Sequence, residues 1–472
     1  MSRHFVIIGN GAAGFRAAKA LRRADSAARI SIFTQERYPF YLRRQLGDFL
    51  AGNLTLTELI FQSRNTYRRE RIDLFLMTRI TTVDPAAHEV VFASGERVRY
   101  DRLLVATGTD AVPLDIPGAA LDGVVRFDTL RGAVAVRRAL DQVRRAAVLE
   151  AGLVGLKLAE SLAGRGVGVT QLISGDRYWP EMLDEAASQC VEAMMEDAGI
   201  ALRRNADARA IIGTGGSCIG VETADGKLLG AELVATGSRR RPATDALKGS
   251  GIDLRRGVCV DSSLRTSDPD VFAAGDVAEP TDVPGFADAS TEPDDNRTPF
   301  CWQRAWTQGG QAAAGMLDQT TPTRPGAVRM RTNVFGREIA VIGAGHLPEG
   351  EGREAVQLQG PPDTYRRLVF ERGRLVGATI LGTGESVPEL DRLVAEGAAR
   401  EEVETAIEPA EAAPGDAART PQTFARHCPI CAAELVIRCG APAGSQIRCR
   451  ACSTSLVIQW DGESLWLEVS RP

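Results

Sequence analysis

Two glycine-rich turns, each lying between an apolar segment and a helical pattern, constrain this chain more than any other feature. The first, GNGAAG at residues 9–14, follows the apolar segment HFVII at residues 4–8. Glycines in such a turn permit a tight bend and bring backbone N–H groups close to a phosphate at a helix N-terminus. The second, EAGLVG at residues 150–155, comes about 140 residues later, and ATG at 235–237 repeats ATG at 106–108. The sequence therefore predicts two copies of one nucleotide-binding βαβ plan.

Composition narrows the class of protein. The chain has 472 residues, of which 44% are hydrophobic and 25% charged, and a net charge of −5. This is ordinary globular composition, so a mainly disordered or fibrous chain is excluded. We expect no nucleic-acid partner, since no basic face is indicated. We also expect no membrane association, because every long apolar stretch is interrupted, and a cytoplasmic location, because no signal peptide precedes the first strand.

Further motifs accompany the first turn. Glu36 ends the second predicted strand 22 residues after Gly14, where an acidic residue is expected to accept ribose hydroxyls. Thr107 and Gly108 follow a third strand, and the segment TSDPDVFAAGDVA at residues 266–278 delivers Gly275 and Asp276 at the end of another.

In these motifs the chain resembles the pyridine nucleotide-disulfide oxidoreductase superfamily, the flavoproteins with two dinucleotide-binding domains. YPFYLR at 38–43 and YRRLVFERGRLVG at 365–377 are similar to segments of its nitrite-reductase and rubredoxin-reductase type members, which are NADH-dependent. The resemblance covers about residues 4–395. It implies that FAD is held by Gly9, Gly11, Gly14, Glu36, Arg43, Thr107, Gly108, Gly275 and Asp276.

The expected fold class is α/β, with two Rossmann-like domains, an α+β interface domain and a C-terminal zinc ribbon. We place an FAD-binding domain at 1–118 and 250–320, an NAD(P)-binding-like domain at 119–249, the interface domain at 321–398, a linker at 399–427 and the ribbon at 428–472. Helical patterns occupy 302–317 and 386–397. The linker is Ala-, Pro- and Glu-rich, a composition that buries no core.

Disulfide reduction is disfavoured because no cysteine pair accompanies the flavin motifs. Cys301, beside Trp302, is kept as a candidate thiol, and Cys190 is interpreted as a buried apolar filler. The flavin is therefore expected to pass electrons to an external acceptor.

The second turn departs from GxGxxG. The resemblance assigns Gly152, Gly155 and Gly237 to NAD(P), yet Glu150 takes the first glycine position and Ile173 the position of the ribose-binding acid. A carboxylate there would repel a pyrophosphate. Two readings stay open: NAD(P)H binds in an altered way, or the domain has lost the nucleotide and a partner reduces the flavin.

The C-terminal cysteines form two CxxC pairs, Cys428 with Cys431 and Cys449 with Cys452. Two such pairs at this spacing predict a tetrathiolate zinc site, with a rubredoxin-like iron as the alternative, and leave Cys439 as a spare.

The predicted function is an FAD-dependent oxidoreductase in which NADH reduces the flavin and a rubredoxin, ferredoxin or partner subunit takes the electrons. No acid, base or nucleophile is nominated. The alternative is a flavin-bearing electron-transfer or assembly subunit of a larger redox complex with a degenerate NAD(P) site. A homodimer and a larger complex are both compatible with the sequence.

Overall fold

The computed structural model describes residues 2–236, 240–281, 302–319, 328–350, 352–358, 364–382, 387–407, 423–427, 434–438, 446–449, 454–460 and 465–469. The chain divides into two compact units, Met1–Ala398 and Ala399–Pro472.

The first unit begins with a parallel sheet and the small elements that follow it. In chain order these are β1 (His4–Ile8), α1 (Ala12–Ala24), β2 (Arg29–Phe33), α2 (Leu46–Ala51), α3 (Leu56–Leu59), α4 (Arg64–Arg69), β3 (Asp73–Phe75), β4 (Ile80–Asp84), β5 (Glu89–Phe92), β6 (Arg97–Arg99), β7 (Arg102–Val105) and β8 (Thr109–Ala111).

A second set of elements builds a second parallel sheet. These are β9 (Val124–Arg126), α5 (Leu130–Ala139), β10 (Arg145–Val148), α6 (Leu153–Ala163), β11 (Gly168–Leu172), α7 (Glu185–Asp197), β12 (Ala201–Arg203), β13 (Ala208–Thr214), β14 (Ser217–Thr223), β15 (Leu228–Gly230), β16 (Leu233–Thr236) and β17 (Arg240–Pro242).

The remainder of the first unit returns to the first sheet and then forms a third. Its elements are β18 (Val258–Val260), β19 (Val271–Ala273), β20 (Ala278–Pro280), α8 (Trp302–Met316), β21 (Val328–Val334), β22 (Arg337–Gly343), β23 (Arg353–Leu358), β24 (Tyr365–Glu371), β25 (Arg374–Gly382) and α9 (Val387–Glu396).

The two parallel sheets have the same strand order. The first runs β3-β2-β1-β7-β19 and the second β12-β11-β10-β16-β9. Thus β1 corresponds to β10, and the ATG-bearing strand β7 to β16. The internal repeat predicted from the sequence is present in the sheet topology. Strand β1 is a continuous apolar run, as expected where both faces of a parallel sheet are covered. Its residues Phe5, Val6 and Ile7 are fully buried.

The first sheet contains strands that precede the second sheet in the sequence and one strand that follows it. β19 pairs with β7 in parallel although the whole second sheet lies between them in sequence. The antiparallel pair β8–β17 lies where the chain leaves for the second sheet and where it returns. The third sheet, β21-β22-β25-β24-β23, is antiparallel and packs against α9, which buries Leu390 and Leu393.

The second unit is described in part. It contains α10 (Arg400–Ile407), β26 (Thr423–His427), β27 (Glu434–Arg438), β28 (Gln446–Arg448), β29 (Ser455–Trp460) and β30 (Leu465–Val469). β26 pairs with β27, and β28, β29 and β30 form an antiparallel sheet. The range predicted as a linker therefore starts with a helix and ends with a strand.

Candidate functional site

The first glycine turn connects β1 to α1 and admits only glycine at two positions. Gly9 has φ +108°, and a Cβ there would overlap the carbonyl oxygen of Ala106 on the neighbouring strand. A Cβ at Gly14 would overlap the carbonyl oxygen of Gly9. Both glycines therefore serve the tight turn itself.

Gly11 differs from its two neighbours in the motif. It is the N-cap of α1, and a Cβ there would meet no heavy atom of the described residues within 4 Å. Among the described residues no side chain caps α1, and its first turn holds no acidic residue. A helix start without a side-chain cap has N–H groups available to bind a phosphate anion.

Two further predicted loops meet the first turn. In the first parallel sheet β7 lies next to β1, and β19 lies next to β7. The carboxyl ends of these three strands therefore lie at the same edge of the sheet. Thr107 and Gly108 follow β7, and Gly275 and Asp276 follow β19. The Gly275 N–H donates a 2.9 Å hydrogen bond to Oε1 of Gln308. The structure thus brings these predicted FAD residues to one edge.

Glu36 and Arg43 lie together after β2. Oε1 of Glu36 accepts hydrogen bonds from Nη2 of Arg43 at 2.8 Å and from the Tyr41 hydroxyl at 3.0 Å. Arg43 also donates to the backbone carbonyl of Asp128. Glu36 is therefore oriented by two donors. Arg43 connects Glu36 to the segment that precedes α5.

The second glycine turn opens its helix in the same way as the first. Gly152 is the N-cap of α6, as Gly11 is of α1, and a Cβ at Gly155 would overlap the carbonyl oxygen of Glu150. Glu150 corresponds to Gly9 in the first turn. Its φ is not positive, so the turn tolerates a side chain at this position. The side chain folds over the turn: Oε1 of Glu150 lies 2.7 Å from the position that a Cβ on Gly152 would take.

Burial raises the pKa of Glu150 to about 8. Arg240 and the Gly155 N–H oppose this shift, whereas Asp128 and Glu181 add to it. The Arg240 Nη1 atom is 3.4 Å from Oδ2 of Asp128, so its charge is shared between two acids. Near neutral pH the Glu150 carboxyl is mainly protonated.

Sequence reasoning missed two residues that hold this turn. Gln171 is fully buried, and its amide nitrogen donates to the backbone carbonyls of Val148 and Glu150. Tyr178, also fully buried, donates through its hydroxyl to the Gly152 carbonyl. The available signal was the large polar side chain of Gln171, next to Thr170, in a predicted strand whose other side chains are apolar.

The strand that follows the second turn lacks the acidic residue that usually binds the ribose of NAD(P). Ile173 is buried just beyond β11 and offers no carboxylate, and Asp176 is exposed. Gly237 lies outside the described residues.

Three cysteines of the first unit are described. Cys218 is buried and donates to the Ala231 carbonyl, while Cys259 is partly exposed in β18. Cys190 lies on α7 and is also partly exposed, so its interpretation as a buried filler was wrong: a helical pattern alone did not fix which face the neighbouring elements cover. Cys301 lies outside the described residues.

The predicted metal ligands are largely beyond what the structure describes. Cys428, Cys431 and Cys452 lie outside the described residues, and Cys449 is buried directly after β28. Among the described residues no group of three or more His, Cys, Asp or Glu side chains is placed to hold a metal. In the same described part of the chain, no helix has the length and apolar character needed to cross a membrane.

Two topologically identical parallel sheets, each with a glycine turn opening a helix at its carboxyl edge, define a protein with two dinucleotide-binding domains. Residues 3–309 match the sequence model of the pyridine nucleotide-disulphide oxidoreductases, and the chain belongs to this family. The predicted family and enzyme class are confirmed. Membership supports FAD and NAD(H) as cofactors, and the comparisons give no support for zinc.

Individual relatives agree with this assignment. The chain is 31% identical over 393 residues to the ferredoxin–NAD(+) reductase component of the biphenyl dioxygenase system of Paraburkholderia xenovorans, covering 82% of this chain and 92% of that protein. It is 29% identical over 274 residues to rubredoxin-NAD(+) reductase of Pseudomonas putida, covering 58% and 71%. The fold is similar to that of the ferredoxin reductase for the CYP199A2 system from Rhodopseudomonas palustris, with a TM-score of 0.75, 23% identity and coverage of 84% and 96%.

Proposed function

We propose that the chain is an FAD-dependent oxidoreductase that takes electrons from NAD(P)H and passes them through the flavin to an external redox protein, such as a ferredoxin or rubredoxin, or to a partner subunit. The observation that carries the proposal is the open N-terminus of α1 at Gly11, surrounded by the loops that follow β1, β7 and β19. The reductases similar to this chain have small redox proteins in their names.

The residues at this edge fit FAD. The free N–H groups at the start of α1 suit its pyrophosphate, and the helix dipole adds to their attraction for an anion. Glu36, already oriented by Arg43 and Tyr41, has acceptor capacity left for ribose hydroxyls. Asp276 follows β19 at the same edge and is assigned to the ribityl chain. When bound, FAD supplies the redox chemistry, and the protein contributes position and electrostatics.

The route of the electrons follows from the thiols. Cys190 and Cys218 belong to α7 and β14, and Cys259 to β18, so none of these described cysteines lies on a loop that follows β1, β7 or β19. A redox disulfide within the described residues is therefore not available beside the flavin. We infer that the electrons leave to an external acceptor.

The test is anaerobic reduction of the purified yellow protein by NADH or NADPH in separate cuvettes, followed at the flavin absorption band. Rapid bleaching by one nucleotide is expected. Bleaching by dithionite but by neither nucleotide would refute the use of NAD(P)H. That result would favour a second candidate, a flavin-bearing subunit that a partner reduces, for which Glu150 in the second turn is the specific observation.

For the second unit we propose a zinc ribbon. In sequence, one CxxC pair falls between β26 and β27, which pair with each other, and the other falls between β28 and β29, which also pair. Cys449 is buried, and its N–H donates to the Thr454 carbonyl at 2.9 Å. Two hairpins with a thiol pair at each connection suit one tetrahedral Cys₄ ion, zinc rather than the iron alternative.

A further inference from the structure

The two glycine turns differ in what lies above the helix N-terminus. At Gly11 a Cβ would meet no described heavy atom within 4 Å. At the corresponding Gly152, Oε1 of Glu150 lies 2.7 Å from the position of such a Cβ. Since Gly11 and Gly152 are the N-caps of corresponding helices, the carboxyl group of Glu150 occupies the space that is open in the first turn.

The carboxyl is buried at the helix start. The Gly155 N–H, one of the donors that a helix start offers to an anion, favours its ionised form, and Oε2 has no hydrogen-bond partner among the described residues. The backbone beneath it is braced by Gln171, whose Nε2 is 2.6 Å from the Glu150 carbonyl oxygen. The Tyr178 hydroxyl, 2.9 Å from the Gly152 carbonyl oxygen, braces the other side.

We propose that the Glu150 carboxyl is an intramolecular competitor for the pyrophosphate of NAD(P)H at the start of α6. Dinucleotide binding then requires the carboxyl to move out of the space beside Gly152. The inference rests on the proposed function, because it assigns Glu150 a role in controlling the affinity of the second domain for NAD(P)H.

The competition depends on pH. The charged and titratable groups that face the carboxyl are Arg240, Asp128, Glu181 and Tyr178, and Arg240 is the one cation among them. A neutral carboxyl does not repel a pyrophosphate, whereas a carboxylate is attracted to the helix start and repels the ligand. Burial raises the pKa of Glu150 to about 8, and a pyrophosphate beside the carboxyl raises this pKa further in the complex, so binding should weaken as the pH rises above 8 and should take up protons there.

Isothermal titration calorimetry with ADP-ribose tests this on the flavin-loaded full chain. ADP-ribose carries the pyrophosphate and cannot reduce the flavin. Titrations run from pH 6.5 to 9.5, in phosphate and in Tris, so that the difference in heat gives the number of protons taken up. The variants are Glu150→Gln and Glu150→Gly, with the exposed Glu185→Gln on α7 as the matched control. Flavin content and melting temperature verify folding.

In the wild type and in Glu185→Gln we expect Kd to rise by up to about tenfold per pH unit above pH 8. Glu150→Gln should lose both this slope and the proton uptake. Glu150→Gly should bind at least about tenfold more tightly at pH 9. A slope that persists in Glu150→Gln, or a Glu150→Gly variant that binds no better than the wild type, overturns the inference.

The outcomes separate this inference from the proposed function. If the wild type binds no ADP-ribose and is not reduced by either nucleotide, while Glu150→Gly binds, the competitor role is upheld and NAD(P)H use by the natural chain fails. If no variant binds at any pH, the competitor role is refuted, since removing the carboxyl should have opened the site.

Discussion

The hydroxyl of Tyr178 donates a 2.9 Å hydrogen bond to the backbone carbonyl of Gly152, the residue that caps α6. Tyr178 is itself locked, because its N–H donates to Glu192 and its carbonyl accepts from the Ser188 hydroxyl. A side chain beyond β11 thereby fixes the shape of the turn that follows β10. The turn has kept its form although its first glycine has been replaced.

Replacing Tyr178 with Phe should lower the free energy of unfolding by about 1–2 kcal/mol, since a buried carbonyl loses its donor. Urea unfolding of the purified protein measures the loss. Tyr38→Phe, at a partly exposed position, is the control and should change little. Equal stability of Tyr178→Phe and the wild type would contradict the bracing role.

Gly11→Ala should fold but bind FAD poorly. A methyl group there meets no described atom in the protein, yet it enters the space assigned to the pyrophosphate. We expect a folded protein with a flavin-to-protein ratio reduced severalfold, measured by absorbance after dialysis. Gly9→Ala should instead destabilise the fold, because its Cβ overlaps the Ala106 carbonyl at φ +108°.

Gly175→Ala is the matched control for both variants. Its Cβ also meets no described atom within 4 Å, and it lies outside the first turn. It should keep full flavin content. Full flavin content in Gly11→Ala as well would contradict the assignment of this space to FAD.

Stability should depend on pH through Glu150. Burial raises the pKa of this carboxyl in the folded chain to about 8 from an ordinary value of 4.5. The folded state therefore binds the proton more tightly, and this contribution to stability is complete below about pH 4.5 and is lost as the pH rises to about 8, by at most about 1.4 kcal/mol per pH unit. Relative to Glu150→Gln, the wild type should weaken steadily between pH 5 and 8 in urea unfolding. Parallel pH profiles for the two proteins would count against the buried carboxyl.

The proposed ribbon predicts one zinc ion per chain, measured by inductively coupled plasma mass spectrometry after gel filtration. Cys452→Ser should lose the metal, because a site reduced from four thiolates to three binds the ion far more weakly. Cys439→Ser, which changes the cysteine outside the two pairs, should keep it. An iron content equal to the chain concentration would support the rubredoxin-like alternative, and no metal in the wild type would refute the site.

Local sequence signals predicted the parallel sheets well. The apolar run of β1 and the glycines after it specify a buried strand and a tight turn without help from distant residues, and α8 was predicted at 302–317 and observed at Trp302–Met316. The linker was less predictable. α10, a helix of eight residues, lies at its start. A helix this short depends on packing, here the fully buried Val403, which composition does not reveal.

The sequence by itself determined the repeated nucleotide-binding plan, its place in the chain and the substitution of Glu150 for glycine, since glycine spacing and apolar periodicity are local properties. Only the tertiary structure decided what that substitution does. The position of the Glu150 carboxyl beside Gly152, the bracing by Gln171 and Tyr178, and the raised pKa depend on β11, β17 and the Tyr178 segment packing around one turn. Desolvation and hydrogen bonding arise from residues distant in sequence, and no local pattern encodes them.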